Sequence, residues 1–360
     1  MSSSVVSSHS SKSEQPLDIA LIGAGLIGRE HAARLAANPR SRLSAIVDPS
    51  PAASAWAAER SVPHYPHVTQ MLWAHRPQGA IVATPTQDHV ATATTLLEAQ
   101  VPVLVEKPLA DELSEAAKLV RTADRSGTPV LVGYHRRHSA ALQAARQYIA
   151  LGHLGRIVSV TGASLFYKPD PYFDVAWRTS PGGGPILINL AHEIDSLRAL
   201  VGEIAAVQAV ASNRIRRHNV EDTAAVILEF ETGALGTLVV SDCAVTPFSW
   251  EQTAGENPLY ARDDSRDGLV LAGTLGTIAL PSLHWWRQDG ERSWALPFEK
   301  GQLPVQPADP LVRQLDHFLD VVARRAEPLV PASEGFRSLA ATLAVQEAVS
   351  TGSRVVPLGL

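Results

Sequence analysis

The chain has 360 residues, of which 45% are hydrophobic and 19% charged, enough material for two packed cores and incompatible with global disorder. Its 31 Lys and Arg against 36 Asp and Glu give a formal charge of -5, so there is no basic surplus for phosphate backbones and no nucleic-acid partner is expected. A single cysteine, Cys243, cannot form an internal disulfide, and no apolar run reaches the ~18 residues of a membrane span, so a cytoplasmic protein without membrane contact is expected.

Residues 1–15 are rich in serine, lack an apolar core segment and read as a disordered tail rather than a signal peptide. Over residues 16–136, short apolar runs (Asp18–Gly23, Leu43–Val47, Gly79–Ala83, Val101–Val105, Pro129–Gly133) alternate with Ala-rich helical stretches. The runs are apolar throughout, as strands of a parallel sheet covered on both faces would be, and the alternation predicts a doubly wound α/β domain. Over residues 137–360 the texture changes. Ile157–Phe166, Val207–Asn213, Thr223–Glu231, Leu235–Asp242 and Leu269–Ala272 read as strands, with a hairpin turn at Thr232–Gly233. Helices are predicted over Ile186–Val201, Leu311–Arg325 and Glu334–Ser350. The second unit is therefore expected to be an α+β domain with a mostly antiparallel sheet and helices on one face. Thr246–Gly268 reads as a long polar loop, a candidate for substrate or subunit contact through Trp250, Glu251, Asn257 and Tyr260.

The motif Gly23-Ala24-Gly25-Leu26-Ile27-Gly28 follows the first strand and opens a helix. Such a loop turns tightly at Gly23, lets the backbone approach a pyrophosphate at Gly25 and packs helix on strand at Gly28, with free N–H groups near Leu26 and Ile27 facing the phosphates. The second strand ends in Asp48, about 20 residues on, where a carboxylate binds the adenosine ribose. Pro49, Ser50 and Pro51 follow it rather than an arginine, so NAD is expected over NADP. Thr84-Pro85-Thr86 lies at the carboxyl edge of the sheet, where ligands of open α/β sheets bind. Val101–Val105 runs into Glu106-Lys107-Pro108, which puts an amine at a strand end beside the dinucleotide, suited to substrate binding and proton transfer.

With Ala83-Thr84-Pro85-Thr86 and His89, Glu106-Lys107-Pro108, and Gly182-Gly183-Gly184 leading to His192 and Asp195, the sequence resembles the Gfo/Idh/MocA family of dinucleotide-dependent oxidoreductases. The resemblance covers nearly the whole chain after the tail. It implies a Rossmann domain followed by an open-sheet domain, and hydride transfer on sugars, cyclitols or related hydroxy compounds. The expected cofactor contacts are Gly23, Gly25, Leu26, Ile27, Gly28, Asp48, Thr84, Pro85, Thr86, His89, Glu106 and Lys107. Lys107, His192 and Asp195 are the candidate catalytic residues, and Lys107, Tyr134, Trp177, Arg178, Asn189 and His192 the candidate substrate contacts.

His192 and Asp195 are three apart on the predicted helix, so they share a face and Asp195 is positioned to orient the imidazole. Many family members have an Asp four residues before this histidine. Here Ile188 stands there, followed by Asn189, which binds a hydroxyl but carries no proton. Lys107 is then the expected main proton handler. Two alternatives stay open: a hydrolase or eliminase that oxidises transiently on tightly bound NAD, and a sensor that has lost catalysis. His135-Arg136-Arg137-His138 is expected at the domain junction facing the cleft, without a metal, and His64 and His67 in a surface turn. Of Trp285 and Trp286, only one can face the core, which leaves the other for a subunit interface in a homodimer or homotetramer.

Overall fold

The computed structural model describes residues 15–288 and 290–360; nearly all of the predicted serine-rich tail lies outside them. The first unit runs β1 (Leu17–Ile22), α1 (Leu26–Ala37), β2 (Ser41–Val47), α2 (Pro51–Ala58), β3 (His64–Tyr65), α3 (Val68–Ala74), β4 (Gly79–Val82), α4 (His89–Glu98), β5 (Val103–Val105), α5 (Leu113–Ser126) and β6 (Val130–Val132). Its six strands form a parallel sheet in the order β3-β2-β1-β4-β5-β6. Every residue of β4, β5 and β6 is buried, as the unbroken apolar runs require. The strand order reverses between β1 and β4, so the loops after these two strands diverge and leave a crevice at the carboxyl edge. His64 corrects the surface-turn reading: with Tyr65 it forms the edge strand, because two residues suffice to pair with Ile46 and Val47.

The second unit runs α6 (Ala140–Ala150), β7 (Ile157–Leu165), α7 (Ala191–Val201), β8 (Ile204–Ser212), β9 (Thr223–Phe230), β10 (Leu235–Ser241), α8 (Trp250–Ala254), β11 (Leu269–Gly273), β12 (Gly276–Leu280), β13 (His284–Arg287), β14 (Glu299–Gln302), α9 (Pro310–Val322) and α10 (Ala332–Thr351). The eight strands are ordered β14-β13-β12-β11-β7-β10-β9-β8, all antiparallel except the β7–β10 pair. The predicted turn at Thr232–Gly233 joins β9 to β10, with Gly233 at φ +85°, a conformation glycine adopts without strain.

Two expectations change. Thr246–Gly268 carries the short helix α8 and buries Trp250, because Ser249 caps the helix and the indole fills the second core. The chain also crosses back to the first core after residue 136. Leu315, Phe318 and Leu319 of α9 and Phe336, Leu339 and Ala340 of α10 pack into the first core. Gly79 is the mark of that packing, since a Cβ there would lie 2.7 Å from Val322 and 3.3 Å from Phe318.

Helices α6, α7 and α10 cover one face of the large sheet. Ladder registers put Val210, Ile227, Leu235, Val239, Val270 and Trp286 together on the other face, and all of them are exposed. Trp285 turns inward against Tyr148 while its neighbour Trp286 turns outward, the split that strand alternation demands.

Candidate active site

The glycine loop is shaped by contacts that only glycine permits. Gly23 sits at φ +94°, and a Cβ on it would lie 2.5 Å from the Ala83 carbonyl oxygen; one on Gly28 would lie 2.1 Å from the Gly23 oxygen. A Cβ on Gly25 meets nothing within 4 Å, and Leu26 and Ile27 are exposed beside it, so the start of α1 opens onto free space wide enough for a phosphate to approach the backbone. Asp48 closes the loop from β2. Its Oδ2 accepts from the Ala24 N–H at 2.9 Å and its Oδ1 from the Ser50 N–H and hydroxyl at 2.8 and 2.6 Å. Burial pushes this carboxyl up, but those hydrogen bonds outweigh it and hold it below the ordinary range, so it stays ionised.

Opposite the loop, the Thr84 hydroxyl is buried without a partner, an unmet donor and acceptor at the switch point. These features fit a dinucleotide. His89 and Glu106, however, are turned away from it. The His89 ring lies between two backbone carbonyls, 2.9 Å from Pro108 and 3.0 Å from Thr84, and ties the two loops together. The Glu106 carboxylate faces α1, where Oε1 bonds His31 at 2.7 Å, and Oε2 accepts from the Lys107 N–H at 3.1 Å. Both therefore position the loops rather than present a side chain to the cleft. Arg29 of α1 is a residue the reading of the segment after Asp48 missed: it donates to the Ala24 carbonyl at 3.1 Å and lies over Trp56.

Lys107 emerges at the end of β5 and donates through Nζ to the Ile188 carbonyl at 3.1 Å. The predicted helix from Ile186 begins with a wide π turn over Ile186–Leu190, in which the Ala191 N–H reaches back five residues to Ile186 before the α-helical ladder of α7 takes over. This turn presents the Ile188 carbonyl to the amine. Burial lowers the Lys107 pKa; the Glu106 charge pulls it back up, and Arg136 lowers it further. Ile188 thus acts through its backbone: a neutral acceptor orients the amine without the charge that would raise its pKa.

His192, on the first turn of α7, packs edge-on to His135 and Tyr134 at ring separations of 4.8 and 6.1 Å. Its Nδ1, the Asn189 Oδ1 and the Tyr134 hydroxyl are all buried without partners. Burial, with the charges of Lys107, His135 and Arg136, holds His192 well below its ordinary pKa and therefore neutral. Burial also lowers His135 to about 4, with Arg136 adding to the effect.

The expected pairing of Asp195 with His192 is corrected. Asp195 takes a bidentate bond from Arg137 at 2.7 and 2.9 Å and a third from Ser338 at 2.7 Å, because a three-residue step swings it towards the 135–138 turn and α10. The His135–His138 segment divides: His135 faces His192 at the site, as expected, while Arg136, Arg137 and His138 turn into the interior. Arg136, 1% exposed, bonds Glu193 at 2.6 Å and also Glu251, which α8 carries in from the distant loop. Trp177 is half exposed, and Arg178 stacks on Tyr172 at 4.0 Å and donates to its carbonyl at 2.7 Å.

A dinucleotide crevice on a parallel sheet, with an amine and a neutral imidazole converging from two domains, defines a two-domain nucleotide-dependent oxidoreductase. Comparison with family models specifies it further: residues 17–134 match the oxidoreductase family, NAD-binding Rossmann fold, and residues 142–279 match the GFO/IDH/MocA C-terminal domain. The chain belongs to the Gfo/Idh/MocA oxidoreductases, and its first domain is the NAD-binding one. It is similar to 1,5-anhydro-D-fructose reductase of Ensifer adhaerens, 27% identical over 92% of this chain and 96% of that protein. It also resembles inositol 2-dehydrogenase of Rhizobium meliloti (strain 1021), 24% identical over 73% of this chain and 81% of that one. A levoglucosan dehydrogenase in complex with NADH and levoglucosan superposes with a TM-score of 0.79 at 22% identity, over 95% of this chain and 100% of that one, which establishes the shared fold.

The ionised Asp48 at the ribose end repels a 2′-phosphate. Fluorescence titration at one salt concentration is expected to give tighter binding of NAD than of NADP. An NADP preference of about tenfold would make Arg29, not Asp48, the deciding residue.

Proposed function

We propose that the protein is an NAD-dependent dehydrogenase that oxidises a secondary hydroxyl of a sugar, cyclitol or related cyclic hydroxy compound, or reduces the corresponding carbonyl. The observation that carries this reading is the Lys107 amine of the first domain, held on the Ile186–Leu190 turn of the second, which carries Asn189 and leads to His192; the Lys107 charge acts on that imidazole, and its Nδ1 and the Asn189 Oδ1 are buried and unpartnered. Bound NAD supplies the hydride acceptor. The chain's own residues bind the substrate and take its proton: Lys107, lowered by burial, is the base, neutral His192 assists, Asn189 holds a further oxygen, and the Tyr134 ring backs the imidazole. Half-exposed Trp177 and Arg178, stacked on Tyr172, suit a ring with hydroxyls. The activities of the anhydrofructose, inositol and levoglucosan enzymes that the chain resembles support the substrate class. A screen of neutral sugars and cyclitols with NAD, following absorbance of the reduced cofactor, tests the assignment. Turnover of cleaved or dehydrated product with no net reduced NAD would instead favour transient oxidation.

The exposed apolar sheet face supports a homodimer or homotetramer assembled through it. Sedimentation at micromolar concentration is expected to show at least a dimer, and Ile227→Lys to shift it towards monomer; a wild-type monomer would refute the assignment of this face. The single cysteine supports a cytoplasmic setting. Among the described residues, no helix is long and apolar enough to cross a membrane.

A further inference from the structure

Lys168 follows β7 and is 5% exposed, yet its amine has no hydrogen-bond partner. The backbone there is pinned on both sides. The Lys168 N–H donates to the Asp242 carbonyl at 2.8 Å, and Arg216 donates to the Lys168 carbonyl at 2.6 Å. The side chain then runs under Tyr172, with Nζ 4.9 Å from the ring centroid, and stops 3.9 Å from Asp242 Oδ2, beyond hydrogen-bond reach. An ammonium has three donors, and leaving them unmet in the interior is unfavourable. The backbone is held, and a ligand or water oxygen between the amine and Asp242 would satisfy a donor that the protein leaves open.

Lys168 shares its aromatic neighbour with Arg178: the Tyr172 ring takes the amine at 4.9 Å and the Arg178 guanidinium at 4.0 Å, and the Lys107 charge also acts on the amine. The Lys168 charge acts in turn on Glu221, whose Oε1 accepts from the Ile186 N–H at 3.0 Å, at the start of the turn that presents Ile188 to Lys107. Burial lowers the amine to about 8 against the pull of Asp242, so it remains largely protonated at neutral pH.

The charge balance selects the ligand. Arg216 is paired with Asp242 Oδ1 at 2.8 Å, and buried Asp222 accepts from the backbone N–H groups of Ile215 and Arg216 at 2.9 Å. With Lys107 as the neutral base, the cations here are Lys168, Arg216 and Arg178 and the carboxyl groups Asp242, Asp222 and Glu221, so no net positive charge is left for an anion. A hydroxyl suits the gap better. Its oxygen can accept from Lys168 and its hydrogen donate to Asp242, and an oxygen about 2.8 Å from each atom bridges 3.9 Å. We propose that Lys168 and Asp242 form a donor–acceptor pair that binds one hydroxyl of a neutral polyhydroxy substrate, other than the hydroxyl being oxidised. This rests on the dehydrogenase reading above and makes Lys168 a specificity-determining residue within it.

The test uses the full chain saturated with NAD, with initial rates on myo-inositol, levoglucosan, D-glucose and D-glucuronate for wild type, Lys168→Met and Lys168→Gln. On the neutral compound oxidised best by the wild type, Lys168→Met is expected to raise KM about tenfold or more, with the loss falling on KM rather than kcat and NAD affinity unmoved. Lys168→Gln keeps a donor and is expected to recover part of the loss; it also carries the test if the Met variant melts early. An unchanged KM in both variants overturns the proposal, as does a wild-type preference for D-glucuronate over D-glucose, which would mark an anion site. A wild type that oxidises none of the four, with the corresponding carbonyl compounds also not reduced by NADH, refutes the dehydrogenase reading itself and this proposal with it.

Discussion

Lys107→Met is expected to lower single-turnover hydride transfer about a hundredfold or more while leaving NAD affinity nearly intact, the scale on which a positioned acid–base group acts. The amine is fixed by the Ile188 carbonyl at 3.1 Å, so its loss removes the proton acceptor without disturbing the glycine loop on the far side of the crevice. His192→Asn is expected to cost less, because among the described residues no carboxylate partners the imidazole and Asp195 is committed to Arg137 and Ser338. The pH profile supplies a second readout. Oxidation needs the neutral amine, and burial lowers the Lys107 pKa, so the rate rises with pH through that lowered value. Ile188→Asp brings a negative charge to the amine, raises its pKa and is expected to move the rising limb to higher pH. Full activity of Lys107→Met would remove the amine from the mechanism.

Arg136→Met is expected to destabilise the fold by about 3–5 kcal/mol at neutral pH, the range measured when one member of a buried ion pair is removed. Arg136 is the cation between Glu193 and Glu251, with Trp250 packed 5.5 Å from its guanidinium. Without it, two carboxylates are left close together in the interior and both pKa values rise above their unfolded values. A carboxyl raised on folding destabilises above its unfolded pKa, and that penalty fades as pH falls through the folded value. Urea unfolding of the variant should therefore show the deficit shrinking from pH 7 towards pH 5. A deficit under about 1 kcal/mol, flat with pH, would mean the three groups are solvated in solution. The same substitution should loosen α8 and with it the link between the 246–268 segment and the site.

The parts legible in the sequence are those whose physics is local. The parallel sheet follows from runs such as Gly79–Val82 that are apolar on both faces, and the dinucleotide loop from three glycines whose missing side chains are required by atoms within a few residues or on the adjoining strand. Lys107 was legible because a strand end fixes its place at the carboxyl edge of the sheet.

What depended on the tertiary structure was the partner of each polar side chain. Spacing along a helix put Asp195 near His192, but buried cations from another segment compete for a carboxylate far more strongly than a neutral imidazole does, and Arg137 took it. Sequence separations of 115 residues between Arg136 and Glu251, and 74 between Lys168 and Asp242, hide pairings that burial makes decisive. Ile188 marks the same division. Its side chain announces the absence of a carboxylate, but only the π turn, a product of how the helix start packs between two domains, reveals that its carbonyl holds the catalytic candidate's amine. Local periodicity sets the elements because backbone hydrogen bonds and apolar faces act over a few residues; charge partners are chosen in the folded interior, where desolvation makes each unpaired group costly enough to select its neighbour.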